Sequence, residues 1–154
     1  MFGMKEFLFP LLAAGAGSCI ALQAVANTRL RQNLDTPDNS LIASFFSICG
    51  TILTATLAVL ILRPVWPTWL SLKQTQWWNW IGGPLGVLFV LAGATLVKEL
   101  GAAAFIVLVV AGQLLVSLLF DHFALMGLPE QPITAGRILG VLLMVAGVAC
   151  IKLL

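Results

Sequence analysis

The feature that most constrains this chain is an uncharged run of 21 residues, Leu100 to Phe120. As an α-helix this run spans about 31 Å, which is enough to cross a hydrocarbon core of about 30 Å. Gln113 lies in the middle of the run, and Ser117 and Asp121 follow at four-residue intervals on the same helix face. Because a side-chain amide that faces lipid leaves its donors and acceptors unpaired, this face is expected to point toward protein or a water-filled cavity.

The composition also indicates a membrane protein. Of the 154 residues, 60% are hydrophobic and 9% are charged, and the mean hydropathy is +1.06. A soluble domain of this size cannot bury so much apolar surface. The net charge of +2 comes without a basic cluster, so nucleic acid is not an expected partner.

Nothing in the sequence predicts a cofactor or an enzyme. The three cysteines, Cys19, Cys49 and Cys150, lie in apolar runs without metal-ligand spacing, and His122 cannot form a metal site by itself. No nucleophile–base pair stands out either, so a membrane-embedded enzyme is the least supported of the functional classes.

The apolar segments predict an all-α membrane protein, a bundle of five transmembrane helices in a single domain over residues 1–154. The expected spans are about 7–28, 40–62, 78–97, 100–120 and 134–153. A polar connection is expected over residues 29–38 and a tight turn over residues 98–101, and Thr134 can cap the last helix. All five tryptophans lie between positions 66 and 80, as is typical of a membrane interface.

The first span has a second interpretation. Lys5 precedes an apolar run, and Ala24-Val25-Ala26 has the form of a signal-peptidase site, so the segment also resembles a cleavable signal peptide. Its length and the absence of a soluble region after it favour a permanent span.

Small and hydroxyl residues recur at helical spacing. Ser47 and Thr51 in the second span are expected to bond back to their own helix backbone. Glycines in the third and fifth spans predict faces on which helices approach closely. These glycines are Gly82, Gly86, Gly136 and Gly140.

Four polar side chains within the spans are candidates to line a substrate cavity. They are Gln23 and Asn27 in the first span, and Gln113 and Ser117 in the fourth. No buried basic residue is evident for an anion, so a neutral or cationic small metabolite is expected. Interhelical hydrogen bonding without a cavity is the alternative explanation.

Two charged residues are predicted to guard one mouth of that cavity. Asp121 lies at the C-terminal end of the fourth span and Arg137 at the N-terminal end of the fifth, where the helix dipole disfavours each charge. Both belong to the same side of the membrane, so they are expected to neutralise each other. Solvation of both by water is the alternative.

The charge distribution gives no orientation in the membrane. With five spans the Lys and Arg residues divide equally, with Lys5, Arg63, Lys73 and Arg137 on one side and Arg29, Arg31, Lys98 and Lys152 on the other. Insertion in both orientations is therefore expected.

The depths of two side-chain amides give a second argument. Within one copy Gln23 and Gln113 differ by about 14 Å in depth along the membrane normal, whereas Gln23 of one copy and Gln113 of an inverted copy differ by about 4 Å. Both observations favour an antiparallel dimer, although a fixed orientation remains open.

Five short motifs occur in order along the chain: Gln23-x3-Asn27-x2-Leu30-Arg31, Gly82-Gly83-x2-Gly86, Ala111-Gly112-Gln113, Asp121-His122-Phe123 and Pro132-x-Thr134-x2-Arg137-x2-Gly140. Together they resemble the YdcZ-like family of inner-membrane exporters, in the drug/metabolite transporter superfamily. Ala124 departs from the glycine that is more typical after Asp-His-Phe. The first span also lacks the membrane-embedded acid of the four-span small multidrug transporters, so their proton-exchange mechanism does not transfer.

The resemblance implies a bacterial inner-membrane protein that is half of an inverted-repeat transporter. The expected function is transport of an unidentified small molecule, by an antiparallel homodimer or together with a related five-span partner. The alternative is a non-transporting membrane scaffold or accessory subunit.

Overall fold

The computed structural model describes residues 4–153, with the side chains of residues 6–151. This part of the chain is helical and contains no β-strand. Its helices are α1 (Met4–Asn33), α2 (Asn39–Leu62), α3 (Trp69–Lys73), α4 (Gly82–Leu100), α5 (Ala102–His122) and α6 (Ala135–Leu153). Short 3₁₀ turns cover Trp77–Trp80 and Leu125–Gly127. The contacts divide the chain into two units, residues 1–99 and residues 100–154.

The helices have the length and exposure of membrane-spanning segments. Four are long and apolar enough to cross a bilayer: Glu6–Asn33, Asn39–Leu62, Trp77–Leu100 and Ala102–His122. A shorter apolar helix covers Ala135–Ile151. Large apolar side chains are exposed along them, Ile61 by 76% and Leu62 by 78%. An apolar surface of this extent requires lipid or protein to cover it, which confirms the predicted all-α membrane class.

Two predicted connections are shorter in the structure than in the prediction. The polar connection was placed at residues 29–38, but α1 continues to Asn33, because Arg31 remains helical and bonds to neighbouring helices. The tight turn at residues 98–101 is reduced to one residue, since α4 continues to Leu100. Gly101 has φ +82°, a backbone conformation that glycine adopts without steric cost.

The tryptophan-rich connection contains local structure that the sequence analysis treated as a loop. The helix α3 begins after Thr68, whose Oγ1 accepts a hydrogen bond from the Ser71 backbone N–H at 3.3 Å. The Lys73 ammonium lies 5.5 Å from the centre of the Trp69 ring. The apolar segment that can cross a bilayer begins at Trp77, within one residue of the prediction. A 3₁₀ turn, Trp77–Trp80, leads into α4 at Gly82, and Pro84 lies in the first turn of α4.

The core of the first unit is built from small and polar residues. Ala24, Ala43 and Ala94 are at most 3% exposed, and Thr28 is 5% exposed. The Thr28 hydroxyl lies within hydrogen-bond distance of two carbonyl oxygens, that of Ala24 at 3.0 Å and that of Gly93 at 3.2 Å. A side chain of α1 therefore bonds directly to the backbone of α4, as close approach of small-residue faces allows.

Arg31 joins three helices of this unit. Its Nε donates to Asn39 Oδ1 at 3.1 Å, and its Nη1 donates to the carbonyl oxygens of Ala94 at 3.3 Å and Thr95 at 3.1 Å. The guanidinium is partly buried and lies beside the C-terminal part of α4, where the helix dipole favours a cation. No basic side chain among residues 6–151 is fully buried, as expected, but Arg31 is partly buried by these contacts.

The second unit is a helical hairpin in which α5 packs against α6. The connection between them turns at Gly127, with φ +80°, and the predicted cap of α6 is confirmed. The Arg137 backbone N–H donates to Thr134 Oγ1 at 3.3 Å. The 19 residues of α6 amount to about 28 Å of helix. The side chains of Lys5 and Lys152, both used in the charge count, lie outside the described residues.

We predict that Arg31→Gln lowers the free energy of unfolding by about 1–3 kcal/mol, because three acceptors lose a charged donor. Arg29→Gln is the matched control, since Arg29 is exposed and bonds only to Gln32 Oε1 at 3.3 Å. Reversible unfolding in mixed micelles, followed by circular dichroism, measures both changes. Equal effects of the two substitutions would contradict the joining role of Arg31.

Candidate functional site

A groove follows the polar face of α5. It has a volume of about 510 Å³. Its lining consists of Gly112, Gln113, Val116, Ser117, Phe120, Asp121 and Leu128. All of these residues belong to the second unit. The predicted four-residue spacing therefore produces a continuous polar line, and the remainder of the groove wall is apolar.

Gln113 and Ser117 differ in how their polar atoms are satisfied. The Ser117 hydroxyl donates to the Leu114 carbonyl oxygen of its own helix at 2.9 Å. The Gln113 side chain is exposed, and it makes no hydrogen bond to any described residue. Because water is absent from the hydrocarbon region, an amide at this depth needs a partner outside its own hairpin. That the face of Gln113 points toward protein or a water-filled cavity therefore stays a prediction.

A second groove lies on the other side of the same polar line. It has a volume of about 360 Å³ and includes residues of α6, among them Arg137 and Gly140. Ser117 and Asp121 line both grooves. The carboxylate of Asp121 is therefore accessible from two directions.

Asp121 and Arg137 form the predicted ion pair. Arg137 Nη1 lies 3.4 Å from Asp121 Oδ2, and the side chains are 31% and 33% exposed, respectively. Arg137 is also bound by Gln131, whose carbonyl oxygen accepts from Nη1 at 3.2 Å and whose Oε1 accepts from Nη2. The Gln131 backbone N–H in turn donates to the Asp121 carbonyl oxygen at 2.8 Å. Gln131 thus completes a ring that links α5, the connection and α6.

Sequence reasoning missed Gln131. The available signal was its position in the connection between Asp121 and Arg137, which were predicted to pair. A polar side chain in that connection can reach the ends of both helices. The neighbouring His122 has a similar positioning role. Its Nδ1 accepts a hydrogen bond from the Ile133 backbone N–H at 3.5 Å, and its ring lies 4.8 Å from that of Phe123.

The other two candidate cavity residues lie in the first unit. Asn27 is buried, with 6% exposure, and Gln23 is partly buried. The two residues are four positions apart on α1 and so lie on the same helix face, as predicted. Neither amide makes a hydrogen bond to any described side chain or backbone group. The predicted set is therefore divided into two pairs, Gln23 with Asn27 and Gln113 with Ser117.

The glycine faces predicted for helix packing are open. A Cβ added to Gly82, Gly86 or Gly140 meets no atom of the described chain within 4 Å, apart from immediate neighbours. At Gly136 the nearest such atom is Thr134 Oγ1 at 3.9 Å. In the described residues these faces thus have no helix packed closely against them.

The three threonine hydroxyls of α2 bond back to their own helix, as predicted for Thr51, whereas the Ser47 hydroxyl makes no hydrogen bond to a described residue. Thr51 Oγ1 donates to the Ser47 carbonyl oxygen at 3.1 Å, and Thr54 Oγ1 donates to that of Gly50 at 2.9 Å. This small-residue face forms an open groove of about 510 Å³. Because its two threonine hydroxyls already have partners, the face is suited to helix packing more than to ligand recognition.

We predict that Arg137→Gln destabilises the protein more than Asp121→Asn, because Arg137 binds both Asp121 and Gln131. The coupling between Asp121 and Arg137 should be small, about 0.2–1 kcal/mol, since a pair about one third exposed is screened by solvent. A double-mutant cycle on the unfolding free energy measures it. A larger loss from Asp121→Asn would contradict this arrangement.

Comparison with known proteins gives one family. The family described as "Putative inner membrane exporter, YdcZ" matches residues 8–150 of this chain. The "Inner membrane protein YdcZ" of Escherichia coli (strain K12) is 37% identical over 75 residues, which are 49% of this chain and 50% of that protein. This match covers about half the length of that relative. No solved structure matches the chain.

The family match includes each of the motifs that carried the resemblance, from the polar pair on α1 to the glycines of α6. It also covers all the candidate site residues of both units. The chain therefore belongs to the YdcZ family of inner-membrane exporters, and it is a multi-pass protein of the inner membrane.

Proposed function

We propose that this protein is a small-molecule transporter in which α1, α2, α4, α5 and α6 cross the membrane. Five spans make the chain one half of an inverted-repeat transporter, completed by a second copy in the opposite orientation or by a related five-span partner. The length of α6, about 28 Å, is compatible with a crossing when its flanking charged residues extend to the interface.

The observation that carries this proposal is the unsatisfied Gln113 amide on an otherwise apolar helix. Placing that amide in hydrocarbon is costly, so the polar line of Gln113, Ser117 and Asp121 needs water, substrate or protein against it. A substrate path between two copies supplies all three. Gln23 and Asn27 are proposed to line the same path from α1, and the pair of Asp121 and Arg137 is proposed to lie at one mouth.

The open glycine faces fit the same arrangement. Gly82 and Gly86 on α4, and Gly136 and Gly140 on α6, are free to pack against helices of a second copy. A membrane scaffold or accessory subunit would use these faces in the same way. The two functions differ in what the polar line does, so the test must address Gln113.

We predict that Gln113→Leu reduces transport by about tenfold or more while the melting temperature changes little, because the amide contacts substrate and not its own hairpin. Gln74→Leu is the matched control, since Gln74 lies in the exposed connection after α3. Compounds that raise the melting temperature of purified protein identify ligands, and counterflow in proteoliposomes then measures their transport.

Two outcomes of this experiment contradict the proposal. Normal transport by folded Gln113→Leu protein removes Gln113 from the substrate path. Absence of flux for every stabilising ligand favours the scaffold. A pure packing role for Gln113 appears instead as a loss of stability of about 0.6–2 kcal/mol.

The orientation of the termini tests the antiparallel arrangement. We predict that a C-terminal tag is accessible from both sides of the membrane, because the Lys and Arg count is balanced. Two added lysines, Gln74→Lys with Gln76→Lys, should drive insertion to one orientation. Gln32→Lys with Asn33→Lys, on the opposite side, should drive it to the other. A tag that is accessible from one side only excludes the antiparallel homodimer.

A further inference from the structure

The Asp121 carboxylate has fewer hydrogen-bond partners than the Arg137 guanidinium with which it pairs. Its only hydrogen bond with any described side chain is the contact of Oδ2 with Arg137 at 3.4 Å. Arg137 also binds the carbonyl oxygen and the Oε1 atom of Gln131. The guanidinium would therefore keep two acceptors if the carboxylate moved to another cation, whereas the carboxylate depends on whichever cation is near.

The position of Asp121 increases this dependence. It is the penultimate residue of α5, where the carbonyl groups of the last turn carry partial negative charge. An anion at that end is disfavoured, so a cationic partner is stabilising. The long contact with Arg137 neutralises the carboxylate from the side of α6 only, and the opposite side opens into the 510 Å³ groove.

The groove offers a second kind of contact on that open side. Gln113 and Ser117 supply polar atoms on one wall, while Val116, Phe120 and Leu128 make the remaining wall apolar. The volume falls within the range of sites that hold small organic ligands. An aromatic ring beside a carboxylate is favourable for a cation that has an apolar body.

We propose that this groove binds a monovalent organic cation with an apolar body, that Asp121 is its counter-ion, and that Arg137 competes with it for the carboxylate. The proposal rests on the proposed transport function and specifies its substrate class. An anion would be repelled by Asp121, and a neutral compound would leave the helix-end charge without a new partner. When the groove is empty, Arg137 keeps the carboxylate paired.

The test is the binding of benzyltrimethylammonium to the purified full-length protein in detergent, measured by isothermal titration calorimetry. Neopentylbenzene serves as the neutral isostere and 3-phenylpropanoate as the anionic comparison. We expect saturable binding of the cation and none of the other two. Asp121→Asn should weaken binding by about tenfold or more, because the ligand loses its counter-ion.

Two further variants separate a binding role from a structural one. Asp38→Asn is the matched control for Asp121→Asn, because Asp38 is exposed in the connection before α2, and it should leave the affinity unchanged. Arg137→Gln should raise the affinity severalfold, because it removes the competing cation while Asp121 remains. If Asp121→Asn fails to fold, the question is decided by the comparison of the cation with its neutral isostere on the parent protein and by Asp121→Glu, which should keep cation binding.

The proposal is overturned by any of four results. They are no saturable binding of the cation to the parent protein, tighter binding of 3-phenylpropanoate, unchanged affinity in folded Asp121→Asn protein, or weaker binding in Arg137→Gln protein. Flux measurements distinguish this failure from failure of the proposed function. If the cation binds but is not transported, the proposed transport function is contradicted and the cation site stands. If a neutral or anionic compound is transported, and Asp121→Asn does not change its flux, only the cation site is contradicted.

Discussion

The need to pair every polar group at hydrocarbon depth is the constraint on which the rest of this structure depends. The helical backbone pairs most of its own polar groups, and the threonine hydroxyls of α2 bond back to carbonyl oxygens of their own helix. In the first unit Thr28 and Arg31 bond to backbone carbonyls of α4, so polar side chains hold three helices together. These arrangements leave the side-chain amides of Gln23, Asn27 and Gln113 without a hydrogen-bond partner among the described residues, and the proposed substrate path would supply one.

The two units use arginine in different ways. Arg31 is bound by three neutral oxygens and no carboxylate, so its charge serves the packing of α1, α2 and α4. Arg137 shares its donors between Gln131 and the carboxylate of Asp121. The first arrangement rests on two backbone carbonyls and one side-chain amide, whereas the second includes a carboxylate that is proposed to exchange partners. The proposed transport function needs both a rigid frame and a site whose contacts change with its ligand.

Sequence patterns predicted the features that follow from local rules. Long apolar runs predicted the helices, Thr134 predicted the start of α6, and helix dipoles predicted the pair of Asp121 and Arg137. The contacts of Arg31 with α4 could not be predicted, because the acceptors there are main-chain carbonyls that every residue possesses. Gln131 was missed because loop geometry decides whether its side chain reaches Arg137. The roles of Gly82 and Gly140 stay predictions, since a packing face needs a partner that one chain does not supply.

The central claim is that the polar line of α5 faces an aqueous path, and thiol accessibility tests it most directly. Cys19, Cys49 and Cys150 are first replaced by alanine. In that background the single substitutions Gln113→Cys and Ser117→Cys are compared with Leu115→Cys and Leu119→Cys. Leu115 and Leu119 are 49% and 50% exposed on the surface of the chain, so exposure by itself does not distinguish a side chain that faces lipid from one that faces water. A charged, membrane-impermeant thiol reagent reacts with thiolate, which forms only in water. We predict rapid labelling at positions 113 and 117 and little at 115 and 119. Equally slow labelling at all four positions would contradict the account.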